Sequence, residues 1–304
     1  MQVHSDVVII GAGVAGMTSA IYLKRAGIDS IIIEKNVPGG QILKAFSVEN
    51  YPGFVKVSGQ ELSDNMFEQV KGLDIDYIKD EVVDIMVENS EKIVVLKSGD
   101  KINCKAIILA VGRHPKKLGI PNLSSFVGNG LSYCATCDGR LFKNRDVLVI
   151  GGSNSALEEA IYLSNICNSV TIVHRRDEFR AEKAWQDEVR KTSNISIEYN
   201  AMLKELIKED DVLSSAILKY NDGSEKEVKV DGCFSSIGYE PDTDLFGEIV
   251  RLDDEGYIDT DVFGKTNIDG IYAAGDTVKK GIYQLITAMN DAVVVADSVR
   301  EHLK

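Results

Sequence analysis

The stretch that decides the fold is DVVIIGAGVAG, residues 6–16. Its first half, residues 6–10, is a short apolar run rich in β-branched side chains, which is typical of a buried parallel strand. The second half has the spacing G-x-G-x-x-G. Here Gly11 permits a tight turn, Gly13 lets the backbone approach a pyrophosphate, and Gly16 lets a helix and a strand pack closely. The stretch therefore predicts a dinucleotide-binding turn.

The residues that follow complete a βαβ unit. A helix is predicted from Met17 to about Arg25, and its N-terminus would offer free N–H groups to phosphates. A second buried strand, residues 30–33, then ends at Glu34, where a carboxylate can accept hydrogen bonds from ribose hydroxyls. Strand, helix, strand and acid in this order favour dinucleotide binding over a plain glycine-rich turn.

A second βαβ pattern starts in the middle of the chain. Residues 146–150 are predicted to form a strand, 151–156 the turn, 157–165 a helix and 170–173 the second strand. The turn carries Ser153 where a third glycine would give the closest approach to a ligand. A serine is tolerable there if its φ is negative.

The two copies differ at the position that meets a ribose. The first ends in Glu34, whereas the second ends in His174, Arg175 and Arg176, with Arg180 about one turn later. A guanidinium binds phosphate through two parallel hydrogen bonds, so arginines here favour a 2′-phosphate over a free 2′-hydroxyl. The second copy is predicted to bind NADP(H); the alternative is an ordinary solvated charge run.

Upstream of the second copy lies CATCDG, residues 134–139. A C-x-x-C pair can bind a metal, close as a structural disulfide, or cycle between dithiol and disulfide. The sequence offers no second ligand pair at a spacing suited to a metal, so no metal site is predicted.

The composition excludes several classes of protein. The net charge of −13 leaves no basic excess to neutralise phosphates, so no nucleic-acid partner is predicted. No apolar run approaches the length of a membrane span, and we expect neither membrane association nor a signal peptide. Five cysteines, an odd number, favour a reducing compartment. We expect Cys104, Cys167 and Cys233 to be packed, inert thiols.

The remaining strands predict the domain organisation. Residues 106–112 and 270–276 are predicted strands that end at turns, and a helical pattern covers residues 283–302. The last segment is too short for a domain of its own, so we expect it to complete the first. This predicts an α/β fold of two Rossmann-like domains of three-layer ββα type, the second inserted into the first. The expected boundaries are 1–112 with 242–304 for the first domain and 113–241 for the second.

Taken together, these motifs resemble the low-molecular-weight thioredoxin reductases, and the resemblance covers essentially the whole chain. The matching pieces are residues 11–16, 39–41, 49–53, 134–139, 174–181, 237–238 and 273–276, with the Gly151 turn. The resemblance implies FAD in the first domain, NADPH in the second, a homodimer and a cytoplasmic location. It implies a thioredoxin-disulfide reductase that passes electrons from NADPH through FAD and the Cys134–Cys137 disulfide to thioredoxin or a thioredoxin-like protein.

The resemblance also assigns residues. Cys137 would face the flavin, Cys134 would exchange with the partner's disulfide, and Asp138 would be the general acid/base. The implied FAD contacts are Gly11, Gly13, Gly16, Glu34, Gly40, Gln41, Asn50, Val82, Gly275, Asp276 and Gln284. The implied NADP(H) contacts are Gly151, Ser153, Asn154, Ser155, His174, Arg175, Arg176 and Arg180. Because the cysteines lie on the inserted domain, we expect a rotation about the two links to alternate disulfide and nicotinamide at the flavin.

Three positions depart from the family pattern. Ser153 replaces a glycine, Val111 replaces a threonine, and Tyr283 replaces an arginine, which is expected to remove one positive charge near the flavin. Some relatives take electrons from reduced ferredoxin, so the same flavoenzyme with that donor is one alternative to the NADPH-dependent reductase. Two more hypotheses stay open: a dithiol flavoprotein that serves another disulfide partner, and a redox sensor without turnover.

Overall fold

The computed structural model describes residues 2–45, 48–88 and 91–304, which form two compact units. Unit 1 consists of Met1–Leu43, Tyr51–His114 and Glu240–Lys304, and unit 2 of Lys44–Asn50 and Pro115–Tyr239. The chain thus leaves unit 1 after residue 114 and returns to it at residue 240. The segment 44–50, which the sequence placed in the first domain, groups with unit 2.

The strands and helices are numbered in chain order. The strands are β1 (Gln2–Ile10), β2 (Ser30–Glu34), β3 (Asp76–Lys79), β4 (Val82–Glu88), β5 (Glu91–Leu96), β6 (Lys101–Leu109), β7 (Arg113–Pro115), β8 (Leu131–Ser132), β9 (Asp146–Ile150), β10 (Ser169–His174), β11 (Ile195–Tyr199), β12 (Ala201–Glu209), β13 (Val212–Tyr220), β14 (Glu225–Lys229), β15 (Gly232–Ser235), β16 (Tyr239–Pro241) and β17 (Ile271–Ala273). The α-helices are α1 (Val14–Arg25), α2 (Gly59–Gly72), α3 (Ala135–Asp138), α4 (Asn154–Ser164), α5 (Lys183–Lys191) and α6 (Leu285–His302). No helix of the described part is both long enough and apolar enough to cross a membrane.

Unit 1 is built on a seven-stranded sheet in the order β3-β2-β1-β6-β5-β4, with β17 also paired to β6. The first half of β6 pairs antiparallel with β5, with Cys104 opposite Lys92. Its second half pairs parallel with β17, with Ile107 opposite Ile271. The strands β1, β2, β3, β6 and β17 run parallel, so their carboxyl ends meet at one edge of the sheet, where α/β proteins bind their ligands.

Alternating side chains of β1 face the two sides of this sheet. Val8 and Ile10 belong to a core cluster that also includes apolar residues of β4 and β5. Ile9 faces the opposite side, towards α1, because a Cβ on Gly16 would lie 3.4 Å from its side chain. The strand is therefore apolar throughout because both of its faces are covered.

Unit 2 has a five-stranded parallel sheet, β11-β10-β9-β15-β8, and a three-stranded antiparallel sheet, β12-β13-β14. Val147 and Val149 of β9 pack with residues of α4 and α5. Leu148 and Ile150 pack with residues of β12 and β13, such as Leu218. One strand thus contributes to a helix layer on one face and a sheet layer on the other, and the predicted α/β fold with parallel sheets is confirmed.

Helix α1 begins inside the glycine motif, at Val14, earlier than the Met17 expected from the sequence. Gly16 lies in its first turn, where a Cβ would be 1.9 Å from the carbonyl oxygen of Gly11. The third glycine is therefore required by the packing of the turn against its own helix. Helix α4 likewise begins inside the predicted turn, at Asn154, earlier than the residue 157 expected from the sequence.

Candidate redox and nucleotide sites

Cys134 and Cys137 form a disulfide in unit 2, with their Cα atoms 5.3 Å apart. Cys134 precedes the short helix α3 as its N-cap residue, and Cys137 lies within it. This helical turn brings residues three apart to a Cα separation that suits a disulfide. Cys134 is half-buried and Cys137 is exposed.

Asp138 is held by a serine that the motifs in the sequence did not indicate. The Ser132 hydroxyl donates to Oδ2 of Asp138 over 2.6 Å, and the backbone N–H of Cys134 donates to the same Ser132 oxygen over 3.1 Å. Burial raises the pKa of Asp138, and the Ser132 hydrogen bond opposes that shift. Ser132 thus connects the acid to the backbone of the redox pair. A serine two residues before a C-x-x-C motif carries no signal that would have identified this role.

The other three cysteines are buried free thiols. Burial raises the pKa of Cys104 to about 12, that of Cys167 to about 11 and that of Cys233 to about 12. The thiolate is the reactive form of cysteine, so these three groups are chemically inert at neutral pH.

The glycine turn of unit 1 leaves space beside Gly13. Gly11 has a φ of +103°, and a Cβ there would lie 2.4 Å from the carbonyl oxygen of Ala110, so its conformation and its surroundings both require glycine. Gly13 has an extended backbone with a φ of −74°, and a Cβ there would meet nothing within 4 Å. The protein itself does not require glycine at residue 13, so this position is free for the close approach of a ligand.

Other predicted flavin residues converge on this turn. The backbone N–H of Gly39 donates to the Ala12 oxygen over 2.8 Å, and a Cβ on Gly40 would lie 3.4 Å from Cα of Gly13. Gly275 packs against the start of α1, because its Cβ would lie 2.7 Å from that of Ala15. The structure therefore places two glycine segments, widely separated in sequence, against this turn.

The two predicted acids of this site have different surroundings. The Glu34 carboxylate accepts backbone N–H groups from Ala12 and Asn36, each over 2.8 Å, so it is folded back onto the glycine turn. Asp276 follows Gly275, and burial raises its pKa while Arg113 and Lys280 oppose the shift. Its Oδ1 is a buried acceptor without a hydrogen-bond partner among the described residues. A ligand hydroxyl would satisfy this atom.

Two positively charged side chains lie beside the Tyr283 ring, although residue 283 itself is not an arginine. The guanidinium of Arg113 stacks on the Tyr283 ring, 3.4 Å from its centroid, and its Nε lies 3.5 Å from Oδ2 of Asp276. Lys280 is also close, and its ammonium pairs with Asp291. Burial raises the pKa of Tyr283 to about 12, so the ring stays neutral. Residue 283 is not an arginine, and the guanidinium beside its ring comes from Arg113, at the start of β7.

The structure describes four other predicted flavin contacts but does not bring them together around the glycine turn. Val82 is buried at the start of β4, opposite Leu96. Gln284 is the N-cap residue of α6 and forms a capping box with Thr287. Gln41 is exposed in the short 3₁₀ turn Gly40–Lys44, and Asn50 is in the segment that groups with unit 2. Their roles stay predictions.

The glycine turn of unit 2 is packed differently from the first. Ser153 is the N-cap residue of α4 with a φ of −92°, an extended backbone that serine adopts without strain. A Cβ on Gly151 would lie 2.6 Å from the Ser236 carbonyl oxygen, and one on Gly152 would lie 2.2 Å from the His174 ring. His174 is therefore a buried packing partner of the turn, and its ring also hydrogen-bonds the Glu178 carbonyl oxygen over 3.0 Å.

The three arginines predicted to bind the 2′-phosphate, Arg175, Arg176 and Arg180, are exposed beside the turn. The backbone N–H of Arg180 donates to the Gly152 oxygen over 3.0 Å, which fixes the arginine segment to the turn. Arg175, Arg176 and Arg180 form no ion pair with any acid of the described part of the chain. Their charges are therefore available to an anion.

The two polar residues after Ser153 differ in their contacts. Both side-chain atoms of Asn154 bond Glu182, the amide donating over 3.0 Å and the oxygen accepting the Glu182 N–H over 2.7 Å. Asn154 thereby joins the start of α4 to the start of α5. Ser155 is exposed.

The chain resembles known proteins over nearly its whole length. The family model described as pyridine nucleotide-disulphide oxidoreductase matches residues 5–292. A thioredoxin reductase of Listeria monocytogenes is 40% identical over 300 residues, covering 98% of this chain and 94% of that protein. A thioredoxin reductase of Bacillus subtilis is 39% identical over 301 residues, covering 98% and 95%. The crystal structure of thioredoxin reductase from Streptococcus pyogenes superimposes with a TM-score of 0.92 at 36% identity, covering 99% of this chain and 98% of that one. These matches confirm the resemblance drawn from the motifs: the chain belongs to the pyridine nucleotide-disulphide oxidoreductase family, in its thioredoxin reductase branch.

Proposed function

We propose that the protein is a thioredoxin-disulfide reductase that takes electrons from NADPH through FAD and the Cys134–Cys137 disulfide. The observation that carries this proposal is the formed disulfide with Asp138 beside it, in a chain that has two glycine-turn sites. The named relatives are thioredoxin reductases, which supports thioredoxin or a thioredoxin-like protein as the substrate. Residues 1–112 with 242–304 would bind FAD, and residues 113–241 would bind NADP(H).

The surroundings of Gly13 support flavin binding by unit 1. They combine free space beside the half-buried backbone of Gly13, two neighbouring glycine segments and the buried Oδ1 of Asp276, which has no hydrogen-bond partner among the described residues. Gly11, Gly13 and Gly40 would accommodate the pyrophosphate, Glu34 the adenosine ribose, and Asp276 a hydroxyl of the cofactor. When bound, the flavin carries two electrons between a pyridine nucleotide and the disulfide.

Unit 2 supports NADPH over NADH. Arg175, Arg176 and Arg180 are exposed and have no acidic partner among the described residues, whereas unit 1 has Glu34 at the corresponding place. A 2′-phosphate would neutralise them, and a free ribose hydroxyl would not. The negative φ of Ser153 shows that this serine causes no backbone strain, so it gives no reason to abandon the nucleotide site.

The side chains around the cysteines support disulfide exchange. The Cys134 thiolate would attack the partner's disulfide, forming a mixed disulfide as the partner's S–S bond breaks. Cys137 would then attack Cys134, which reforms their disulfide and releases the partner with two thiols. The partner's two sulfurs take up two protons, and Asp138, held by Ser132, would supply one of them.

Two experiments test this function. Replacing Cys137 with serine is expected to abolish reduction of thioredoxin while the protein still binds FAD, and unchanged turnover would exclude the scheme.

Anaerobic titration with NADPH, NADH or reduced ferredoxin, followed by bleaching of the flavin absorbance, identifies the donor. Bleaching by NADPH is expected; bleaching by ferredoxin alone would make ferredoxin the donor to the same flavoenzyme.

A cytoplasmic homodimer fits this function. Unit 1 exposes large apolar side chains, among them Val55 and Val262, at 96% and 85% of their full area. Exposed apolar side chains of this size favour an interface with a second copy. Sedimentation or light scattering of the flavin-loaded protein would distinguish the dimer from a monomer.

A further inference from the structure

Glu159 on α4 lies between the glycine turn of unit 2 and α3, the short helix that contains Cys137. The Ser236 hydroxyl donates to its Oε2. The backbone N–H of Ala135 is close enough to the same carboxyl to help lower its pKa. Ser236 lies beside the glycine turn of unit 2, because its N–H donates to the Ile150 oxygen over 2.8 Å and its carbonyl lies against Gly151. No role in the disulfide chemistry proposed above falls to Glu159.

Ala135 is the fully buried residue that directly follows Cys134 and begins α3. Helices α3 and α4 pack closely at this point, since a Cβ on Gly139 would lie 3.0 Å from Leu163 and 3.1 Å from Tyr162. The packing of α3 on α4 thus holds the Glu159 carboxylate beside the backbone N–H of Ala135, the residue that follows Cys134.

Glu159 changes its charge in the physiological range. Burial raises its pKa to about 7 and the neighbouring Glu158 adds to the shift, while the bonds from Ser236 and Ala135 oppose it. The charged or titratable side chains on the elements packed against α4 are not among the causes of this shift. They are Asp138 on α3, Asp146 on β9, His174 on β10, Glu198 and Tyr199 on β11, and Lys183, Asp187, Glu188, Arg190 and Lys191 on α5.

We infer that Glu159 is a positioning residue that takes up a proton when the Cys134–Cys137 disulfide is reduced. The inference rests on the proposed function. Reduction breaks the S–S bond and adds two electrons from a dithiol or the flavin; one sulfur binds a proton and the other remains a thiolate. The new negative charge of that thiolate favours the protonated form of a nearby carboxyl, so a second proton goes to Glu159. Conversely, an ionised Glu159 opposes formation of the thiolate.

The test is the redox equilibrium of the flavin-loaded protein against dithiothreitol at about pH 6 and about pH 8, on either side of the Glu159 titration. Samples are quenched in acid and labelled with a maleimide, and mass spectrometry counts the labels. For Glu159→Gln, which cannot ionise, the equilibrium is expected to shift about threefold towards the dithiol at the higher pH, with no shift at the lower pH. The control is Glu205→Gln, an equal loss of charge at an exposed residue of β12 that is not among the groups shifting the pKa of Glu159; it is expected to behave as the unmodified protein.

If the redox equilibria of the unmodified protein and Glu159→Gln do not differ at either pH, the inference is wrong. An equal shift in Glu205→Gln would also overturn it. If Glu159→Gln does not fold, Ser236→Ala replaces it. Because the Ser236 bond lowers the pKa of Glu159, its loss is expected to move the pH-dependent step to higher pH, and an unmoved step contradicts the inference. Thioredoxin is not used in this assay, so failure of the inference leaves the proposed function intact. Failure of the proposed function would appear instead as no turnover of thioredoxin by the unmodified protein.

Discussion

The guanidinium carbon of Arg113 lies 3.4 Å from the ring centroid of Tyr283. Arg113 begins β7, directly after the turn that ends β6, whereas Tyr283 lies just before α6. The same arginine side chain pairs with Asp276 after β17. Residues from three segments of unit 1 thus meet around the Arg113 guanidinium, at the edge where the parallel strands of this unit end. Residue 283 is a tyrosine, and the guanidinium that stacks on its ring belongs to Arg113.

Replacing Arg113 with glutamine is expected to weaken FAD binding about tenfold, or about 1.4 kcal/mol. The change removes a partly buried ion pair and a cation–π contact, and it leaves Asp276 less able to stay ionised. Quenching of flavin fluorescence by the flavin-free protein measures the affinity. Arg300→Gln, on the exposed end of α6, serves as the control. Equal affinities for both variants and the unmodified protein would show that the Arg113 charge plays no part in flavin binding.

Replacing Ser132 with alanine is expected to shift the pH dependence of disulfide exchange. The Ser132 bond stabilises the charged form of Asp138 and so lowers its pKa; without it, the acid keeps its proton to higher pH. The alkaline limb of the kcat/KM profile for thioredoxin should therefore move to higher pH. Ser235→Ala removes a buried hydroxyl that has no partner among the described residues, so its profile should not move. A common profile for both variants would remove Asp138 from the proposed role.

Replacing Arg176 and Arg180 together with glutamine is expected to raise the Kd for NADPH by about tenfold to about a hundredfold. Binding of NADH should change little, because its ribose carries no phosphate for these side chains. Calorimetric titration of the oxidised protein measures both constants. Arg190→Gln on α5, whose guanidinium already pairs with Asp187, is the control. An equal loss for NADPH and NADH would point to general electrostatics instead of phosphate recognition.

Replacing Gly13 with alanine is expected to prevent FAD binding while leaving the fold intact. A Cβ at this residue meets no protein atom within 4 Å, so the thermal stability of the flavin-free protein should change by no more than about 0.5 kcal/mol. The flavin content after saturation with FAD and removal of excess measures binding. Gly16→Ala is the contrasting variant, since its methyl group would meet the Gly11 oxygen at 1.9 Å and should destabilise the protein itself. Normal flavin content in Gly13→Ala would mean that no ligand approaches this backbone.

Much of the fold was predictable because its signals are local. A strand segment buried on both faces is apolar at every position, as in residues 7–10 and 147–150, and a turn crowded by its own helix demands glycine, as at Gly16. These requirements hold within about ten residues of chain and so can be read in sequence. The ends of the helices were less accurate, because α1 and α4 begin within turns that the sequence presents as loop.

The redox pair and the arginine segment were also visible in sequence, but two contacts around them were not. Ser132 becomes important only because the turn after β8 brings its hydroxyl back onto Asp138. The different surroundings of Gly13 and Ser153 likewise arise from the tertiary structure. Both are N-cap residues with an extended backbone, and only the residues packed around them differ.

The sequence alone determined the two glycine turns, the acid of one copy and the arginines of the other, and the C-x-x-C pair, because each depends on residues close along the chain. The tertiary structure decided the charge beside Tyr283 and the contact of Glu159 with Ala135. Both join segments that are distant in sequence, and a single sequence carries no record of which distant side chains the packed strands and helices bring together.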